Sequence, residues 1–242
     1  MDVLAEVLAR ATADPAVRGL VLTGSHARGV ATPRSDYDVT IVVADQAEAW
    51  RHIRTTELDE VVCTVEALAD TSVQWQRYAY RGAKVLLDRL DGGIAELVAR
   101  QATPSPEEAV RRARAALDGY VNQLYRAVKS YRDGATEAAY LDEVESVPWL
   151  LETVFGLHGR LRPYNKYLQW ELDTFPLPHP WNTTLTPARV AAQPLVLFPA
   201  VEALARRHGH TDVLDAWGSD IELIRVLAEA RSGEARTDPK AH

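Results

Sequence analysis

Two short apolar runs, separated by a loop of small and polar residues, constrain the fold of this chain more than any other feature. The runs cover residues 19–23 and 39–43. Each has the length and composition of a buried β-strand. The loop between them begins with Gly24-Ser25 and ends with Asp36-Tyr37-Asp38. The pattern therefore predicts two strands whose connecting loop carries both a tight turn and a pair of carboxylates.

The residue types in this loop suit phosphates and divalent metals. Side chains alternate along a strand, so Asp36 and Asp38 are expected to point to the same side. Mg²⁺ is usually held by one or two carboxylates together with substrate phosphates. Gly24 permits a tight turn, and a short helix from Ser25 to Arg28 would offer free N–H groups to phosphate oxygens. The alternative interpretation is an ordinary turn followed by two carboxylates that cap a strand.

The two halves of the loop together match a known pattern. Gly-Ser-x-Ala-x-Gly followed by Ser-Asp-x-Asp resembles the signature of the DNA polymerase β-like nucleotidyltransferase superfamily. The resemblance implies a small twisted sheet with helices, and transfer of a nucleoside monophosphate from a triphosphate to a hydroxyl with two Mg²⁺ ions. It implies that Gly24 and Ser25 hold the triphosphate. Arg28, in the same turn, is a further candidate for nucleotide binding. The resemblance also implies that Asp36 and Asp38 bind the metals.

A third carboxylate, on a neighbouring strand, usually completes the metal site of this superfamily. The next predicted strand covers residues 58–65, and Asp59 at its start is the expected ligand. Glu60 is the rival if the register shifts by one residue, because it points to the opposite face. The alternative is that both acids lie at a solvated strand entrance. Without a third acid the fold could bind a nucleotide, but transfer would be in doubt.

Composition and charge favour a small acceptor over nucleic acid. The 242 residues are 47% hydrophobic and carry a formal net charge of −7. A negative chain has no general attraction for nucleic acid and suits a small cationic partner. The single cysteine, Cys63, cannot form an intrachain disulfide. The N-terminus resembles no signal peptide and there is no long apolar run, so a cytoplasmic protein without membrane contact, monomeric or homodimeric, is expected.

The chain is predicted to form two domains. The first, residues 1–103, carries the loop described above, and a short helix is expected within it over residues 46–54. Ser105 caps the next helix and Pro106 occupies its first position, which marks the boundary. Residues 104–242 are predicted to be almost entirely helical, apart from a proline-rich stretch from 173 to 194. The predicted fold class is therefore α+β, with a small mixed sheet followed by an all-helical domain.

Two places in the helical region are candidates for substrate contact. Aminoglycoside adenylyltransferases of the streptomycin, spectinomycin or kanamycin type provide the resemblance here. Those acting on streptomycin and spectinomycin carry a similar Lys and Trp on a helix that closes over the nucleotide. By that resemblance Lys166 contacts the triphosphate, and Tyr164 or Trp170 lines the pocket, on a helix predicted over 163–172. Members of the class also use a carboxylate from the helical domain as general base, for which Glu145 is the candidate. The alternatives are an amphipathic helix with its aromatics in the core, and a solvent-facing acid.

These observations together predict a two-domain, Mg²⁺-dependent nucleotidyltransferase that moves AMP from ATP to a hydroxyl of a small molecule. The resemblance points to an aminoglycoside-like antibiotic as the acceptor, although a shared fold does not establish a resistance role. Two other classes stay open at this point. One is a catalytically inactive nucleotide-binding regulatory module, and the other is a toxin–antitoxin component that transfers AMP to a protein.

Overall fold

The computed structural model describes residues 2–45 and 50–237 of the chain. By its internal contacts the chain divides into two compact units, residues 1–104 and 105–242. Part of the predicted helix over 46–54, residues 46–49, lies outside the described residues. The end of that range is not helical, because Ile53–Arg54 form a short edge strand.

The first unit is built from five strands and a set of helices. Its strands are β1 (Val17–Leu22), β2 (Tyr37–Val43), β3 (Ile53–Arg54), β4 (Leu58–Thr64) and β5 (Lys84–Asp88). Its helices are α1 (Val3–Ala13), α2 (Gly24–Arg28), α3 (Val65–Ala69), α4 (Gln74–Arg77) and α5 (Gly93–Ala102), with a 3₁₀ turn at Tyr78–Tyr80.

The strands form one mixed sheet in the order β3-β4-β2-β1-β5. Strand β2 is parallel to β4 and antiparallel to β1, and the other pairs are antiparallel. The parallel pair is possible because the connection from β2 to β4 crosses over, whereas a tight hairpin would force antiparallel strands. The predicted fold class, a small mixed sheet with helices and a helical C-terminal region, is confirmed.

Both faces of the sheet are covered by apolar side chains. Strand residues that alternate along β1 and β2 divide between two clusters. Leu20 and Ile41 pack with Val7 and Ala11 of α1 on one face. On the other face, Val21 and Val42 pack with side chains of α3 and α5, namely Leu68, Ile94 and Val98. With both faces buried, the register of β2 is tightly fixed, because a shift of one residue would exchange the two clusters.

A buried arginine closes the end of α5. The side chain of Arg77 is 1% exposed. Its guanidinium donates to the carbonyls of Gln101 at 3.0 Å, Arg100 at 2.9 Å and Thr103 at 2.8 Å. The last carbonyls of a helix have no hydrogen-bond donors within the helix, so the Arg77 guanidinium supplies those donors.

The second unit is built from helices joined by loops and 3₁₀ turns. Its helices are α6 (Pro106–Arg132), α7 (Thr136–Leu157), α8 (Leu168–Thr174), α9 (Trp181–Thr184), α10 (Pro187–Ala192), α11 (Phe198–Arg207), α12 (Thr211–Asp215) and α13 (Asp220–Thr237), with 3₁₀ turns at Asn165–Tyr167 and Leu195–Leu197. Ser105 caps α6 by accepting from the N–H of Glu108 at 3.2 Å, and Pro106 is in its first turn, as predicted.

Two predictions for this unit need correction. The helix expected over 163–172 begins only at Leu168, and the residues before it form the 3₁₀ turn. The proline-rich stretch, expected to lack regular helix, contains the short helices α9 and α10. It packs against the core through the buried Trp181, and the buried hydroxyl of Tyr120 donates to the carbonyl of Pro194 at 2.6 Å. Among the described residues, no helix is both long enough and apolar enough to span a membrane.

Replacing Arg77 with Met should lower the free energy of unfolding by about 2–4 kcal/mol, because three carbonyls at the end of α5 lose charged donors. Urea denaturation of the full chain measures the loss. Arg34→Met is the matched control, because Arg34 is exposed and its replacement should cost less than about 0.5 kcal/mol. Equal losses in the two variants would contradict the structural role of Arg77.

Candidate active site

The glycine turn lies directly after β1. The N–H of Thr23 donates to the carbonyl of Asp38 at 2.8 Å, which extends the pairing of β1 and β2 by one bond. The chain then enters α2 with Gly24 at a φ of 65° and leaves it with Gly29 at a φ of 73°. Residues other than glycine rarely adopt such angles. The two glycines of the motif therefore fix the shape of the turn, and the hydrogen bond between the ends of β1 and β2 fixes its position.

Gly24 is in direct contact with the carboxylate of Asp38. A Cβ atom added at Gly24 would lie 1.8 Å from Oδ2 of Asp38 and 2.7 Å from its Cγ. No side chain can occupy that space while Asp38 keeps its position. The absence of a side chain at Gly24 is therefore what lets the carboxylate lie against the turn.

Asp59 lies beside Asp38 on the neighbouring parallel strand. The two residues are register partners in the pairing of β2 with β4, and register partners share a face of the sheet. Neighbouring strands are about 4.8 Å apart, so two carboxylates at these positions are adjacent. Both residues are half-buried. The structure thus brings the predicted pair Asp38 and Asp59 together at one end of two central strands.

Glu60 points to the opposite face of the sheet. It is 1% exposed and forms an ion pair with Arg10 of α1. Burial raises the pKa of the Glu60 carboxyl, and the charge and hydrogen bond of Arg10 act against that shift. Of the two acids considered for the third ligand, Asp59 therefore lies on the face of Asp38 and Glu60 does not.

Asp36 precedes β2 by one residue and is half-buried. The loop that leads to it is fastened by His26, whose Nε2 lies 3.3 Å from the carbonyl oxygen of Ser35. The imidazole also stacks on the ring of Tyr37, with centroids 3.9 Å apart and an angle of 21° between the rings. His26 thus connects the glycine turn to the residues on both sides of Asp36. The alternation of Asp-Tyr-Asp in the sequence contained no signal of this stacking.

The side chain of Arg28 forms hydrogen bonds with backbone carbonyls. It is 7% exposed, and its guanidinium donates to the carbonyls of Gly24 at 2.8 Å, Tyr78 at 3.0 Å and Ala79 at 3.1 Å. The side chain therefore ties the glycine turn to the 3₁₀ turn at Tyr78–Tyr80. The nearby Ser25 is 1% exposed. Nucleotide binding by Gly24, Ser25 and Arg28 stays a prediction.

The donor set fits a divalent metal that also contacts phosphates. Within the described ranges 2–45 and 50–237, no three His, Cys, Asp or Glu side chains are gathered closely enough to hold a metal ion. The three aspartates are therefore not assembled into one group by the protein alone. Carboxylate oxygens suit Mg²⁺, which commonly takes one or two protein carboxylates and completes its shell with phosphate and water. The Asp38 carboxylate itself fills the space beside Gly24, so a carboxylate that could donate to a metal lies against the glycine turn.

The second unit holds the remaining predicted residues. Tyr164 precedes the 3₁₀ turn Asn165–Tyr167 and Lys166 lies within it, and both side chains are exposed. Nζ of Lys166 lies 5.5 Å from the ring centroid of Tyr167. Trp170, one helical turn further on in α8, is half-buried and meets the ring of Phe175 edge-on at 5.8 Å. The predicted arrangement of Lys166 and Trp170 on one continuous helix is wrong, because α8 begins between them.

The carboxylates of α7 differ sharply in their surroundings. Glu145, the predicted general base, is exposed to solvent. Glu143 is 5% exposed, and its Oε1 accepts a hydrogen bond of 2.6 Å from the hydroxyl of Tyr131. The sequence analysis did not select Glu143 as a buried carboxylate. Its burial could have been inferred from its spacing, since Glu143 and Ala139 are four residues apart and share the helix face that packs inward.

Residues 4–121 match the family model of the nucleotidyltransferase domain, a range that takes in the whole sheet and the first part of α6. Together with the mixed five-stranded sheet, this match defines a nucleotidyltransferase-like fold. It supports nucleotidyl transfer as the general activity and a nucleotide as substrate.

The chain is also similar to a solved structure, a nucleotidyltransferase-like protein from Exiguobacterium sibiricum 255-15. The two are 14% identical, and the alignment covers 89% of this chain and 74% of that chain with a TM-score of 0.42. The assignment of the fold rests on the family match and the sheet. No curated protein sequence gives a significant match.

Gly24→Ala and Gly29→Ala form a matched pair that tests the contact at the turn. Both glycines have positive φ, but a Cβ at Gly29 meets no atom within 4 Å. Gly29→Ala should therefore cost only about 1–2 kcal/mol of strain. Gly24→Ala should cost at least about 1 kcal/mol more, since the Asp38 carboxylate must also move. Urea denaturation compares the two, and equal costs would show that the turn does not depend on this contact.

Proposed function

We propose that this chain is a Mg²⁺-dependent nucleotidyltransferase that transfers AMP from ATP to a hydroxyl group of a small cationic molecule of the aminoglycoside type. The observation that carries the proposal is the grouping of Gly24, Asp38 and Asp59 at one end of two central strands. The family match over residues 4–121 supports the reaction type. The net charge of −7 supports a small cationic acceptor over a nucleic acid.

The first unit would carry the catalytic groups. Asp36, Asp38 and Asp59 would hold two divalent metal ions, and Gly24 and Ser25 would bind the triphosphate through backbone N–H groups. When bound, Mg²⁺ supplies charge neutralisation of the phosphates and makes an oxygen nucleophile easier to deprotonate. The protein's own contribution is to fix the carboxylates, because Gly24 and the strand register leave Asp38 little freedom.

The second unit would bind the acceptor and part of the nucleotide. Lys166 would contact the phosphates, and Tyr164 and Trp170 would line the pocket with aromatic surface. The acceptor hydroxyl attacks the α-phosphorus, the bond to the β-phosphate oxygen breaks, and pyrophosphate leaves. The hydroxyl proton passes to a carboxylate, for which Glu145 is the proposed base.

Asp36→Asn and Asp38→Asn should each reduce transfer at least about a hundredfold while the variants stay folded, because an amide replaces a metal-binding carboxylate. Pyrophosphate release is measured from ATP and from GTP with Mg²⁺, against a panel of aminoglycosides and simple amino sugars. Asp45→Asn is the control, since Asp45 is an exposed acid beyond the other end of β2. Full activity in Asp36→Asn or Asp38→Asn would overturn the mechanism.

The same assay separates the proposal from its alternatives. ATP binding without pyrophosphate release on any acceptor would indicate a regulatory nucleotide-binding module. Transfer of AMP to a co-purified protein would indicate the protein-modifying class.

A second pair of variants tests which acid is the third ligand. Asp59→Asn should reduce pyrophosphate release about as strongly as Asp38→Asn, because the two carboxylates are register partners. Glu60→Gln should keep most of the activity per folded molecule, because Glu60 faces α1 and pairs with Arg10. It should instead lower the free energy of unfolding, which urea denaturation measures. The reverse pattern of activities would assign the role to Glu60.

A further inference from the structure

Asp36 is the least constrained of the three aspartates proposed to bind metal. Asp38 and Asp59 lie within β2 and β4, where the ladder between the two strands fixes their backbone. Asp36 precedes β2 by one residue, and no hydrogen bond from the described residues reaches its carboxylate. Its position therefore depends on the residues on either side of it, Ser35 and Tyr37.

The side chain of His26, in the glycine turn, contacts both of those neighbours. Its Nε2 lies 3.3 Å from the carbonyl oxygen of Ser35, and its ring stacks on that of Tyr37 with centroids 3.9 Å apart. A carbonyl oxygen can only accept a hydrogen bond, so the contact assigns the proton to Nε2, which donates. One imidazole thus restrains the backbone before Asp36 and the side chain after it.

Tyr37 is itself held in place, so the stack has a fixed support. Its hydroxyl donates to the carboxylate of Asp2, the N-cap residue of α1, and its ring packs against the apolar cluster between α1 and the sheet. Burial and the negative charge of Asp2 both raise the pKa of Tyr37, so the hydroxyl keeps its proton and stays a donor. Through Tyr37, His26 therefore connects the glycine turn to α1.

The placement of His26 indicates support for Asp36 and not contact with a ligand. Side chains alternate along β2, so Tyr37 points to the face covered by α1 and Asp38 points to the other face. The imidazole lies on the ring of Tyr37, and its Nε2 is used by a backbone carbonyl. His26 therefore acts on Asp36 through the two adjoining residues.

We propose that His26 is a positioning residue that holds the carboxylate of Asp36 in place for the metal ions that accompany the nucleotide. The proposal rests on the proposed function for the role of Asp36. Mg²⁺ demands nearly ideal octahedral geometry, so a carboxylate on a loose loop is a poor ligand for it. Hydrogen-bonded partners behind a ligand side chain typically contribute about tenfold to a hundredfold in metal affinity. The hydrogen bond and the stack of His26 supply that support from the backbone side.

Titration of Mn²⁺ into the full chain, followed by the electron paramagnetic resonance of the free ion, tests this role without any acceptor. The titration includes an ATP analogue with a methylene group between its α- and β-phosphorus atoms, so that transfer cannot occur. His26→Ala should weaken Mn²⁺ binding about tenfold or more, because the loop that presents Asp36 is released. His52→Ala is the matched control. It removes an exposed histidine of the same unit that accepts from the N–H of Val62 at 3.2 Å, and it should leave the affinity unchanged.

Two further variants separate the two contacts of His26. His26→Gln keeps a side-chain N–H for the carbonyl of Ser35 and loses the stack, whereas His26→Phe keeps the stack on Tyr37 and loses the donor. Each should recover part of the Mn²⁺ affinity that His26→Ala loses. In the assay of pyrophosphate release, His26→Ala should need more Mg²⁺ for half of its maximal rate, and added Mg²⁺ should restore much of the lost rate.

Urea denaturation of the same variants identifies a purely structural role. Such a role would lower the midpoint of unfolding in His26→Ala and leave the Mn²⁺ affinity of the folded molecules unchanged, and this result would overturn the proposal. Weaker binding of the ATP analogue in the absence of metal, with unchanged Mn²⁺ affinity, would overturn it in favour of a direct contact between His26 and phosphate.

The remaining outcomes separate this inference from the proposed function. Mn²⁺ binding that depends on both Asp36 and His26, without pyrophosphate release on any acceptor, would uphold the positioning role and count against the transferase. Pyrophosphate release that is lost in Asp36→Asn and unaffected in His26→Ala at every Mg²⁺ concentration would overturn the inference alone. Absence of Mn²⁺ binding by the unmodified chain with the ATP analogue would overturn both.

Discussion

The parallel pairing of β2 with β4 is the constraint on which the candidate site depends. It places Asp38 beside Asp59 and, by the alternation of side chains, sends Glu60 to the opposite face, where Arg10 neutralises it. The apolar clusters on both faces of the sheet oppose any change in that register. Two adjacent carboxylates repel one another, so the packing of the core supplies the free energy that keeps them together. Gly24 then completes the arrangement by leaving room for one of them.

Three arginines, two of them buried, stabilise this framework by donating to backbone carbonyls far away in the sequence. Arg28 binds carbonyls 50 and 51 residues away, Arg77 binds the end of α5, and Arg89 reaches the carbonyls of Asp14 at 2.6 Å and Val17 at 2.9 Å. Loops and helix ends leave such carbonyls without partners, and a buried unsatisfied carbonyl is costly. A positive charge in a glycine turn is thus no proof of a phosphate contact, because the backbone carbonyls compete for the same donors.

Local chemistry explains which features could be predicted from the sequence. Alternation along a strand, the cap of Ser105 and the position of Pro106 are decided by neighbouring residues, and the mixed sheet and the start of α6 were predicted correctly. Asp59 was chosen as the partner of Asp38 through the family resemblance alone, because local alternation does not give strand order. The partners of Arg28 were not accessible, because they are carbonyls from distant segments.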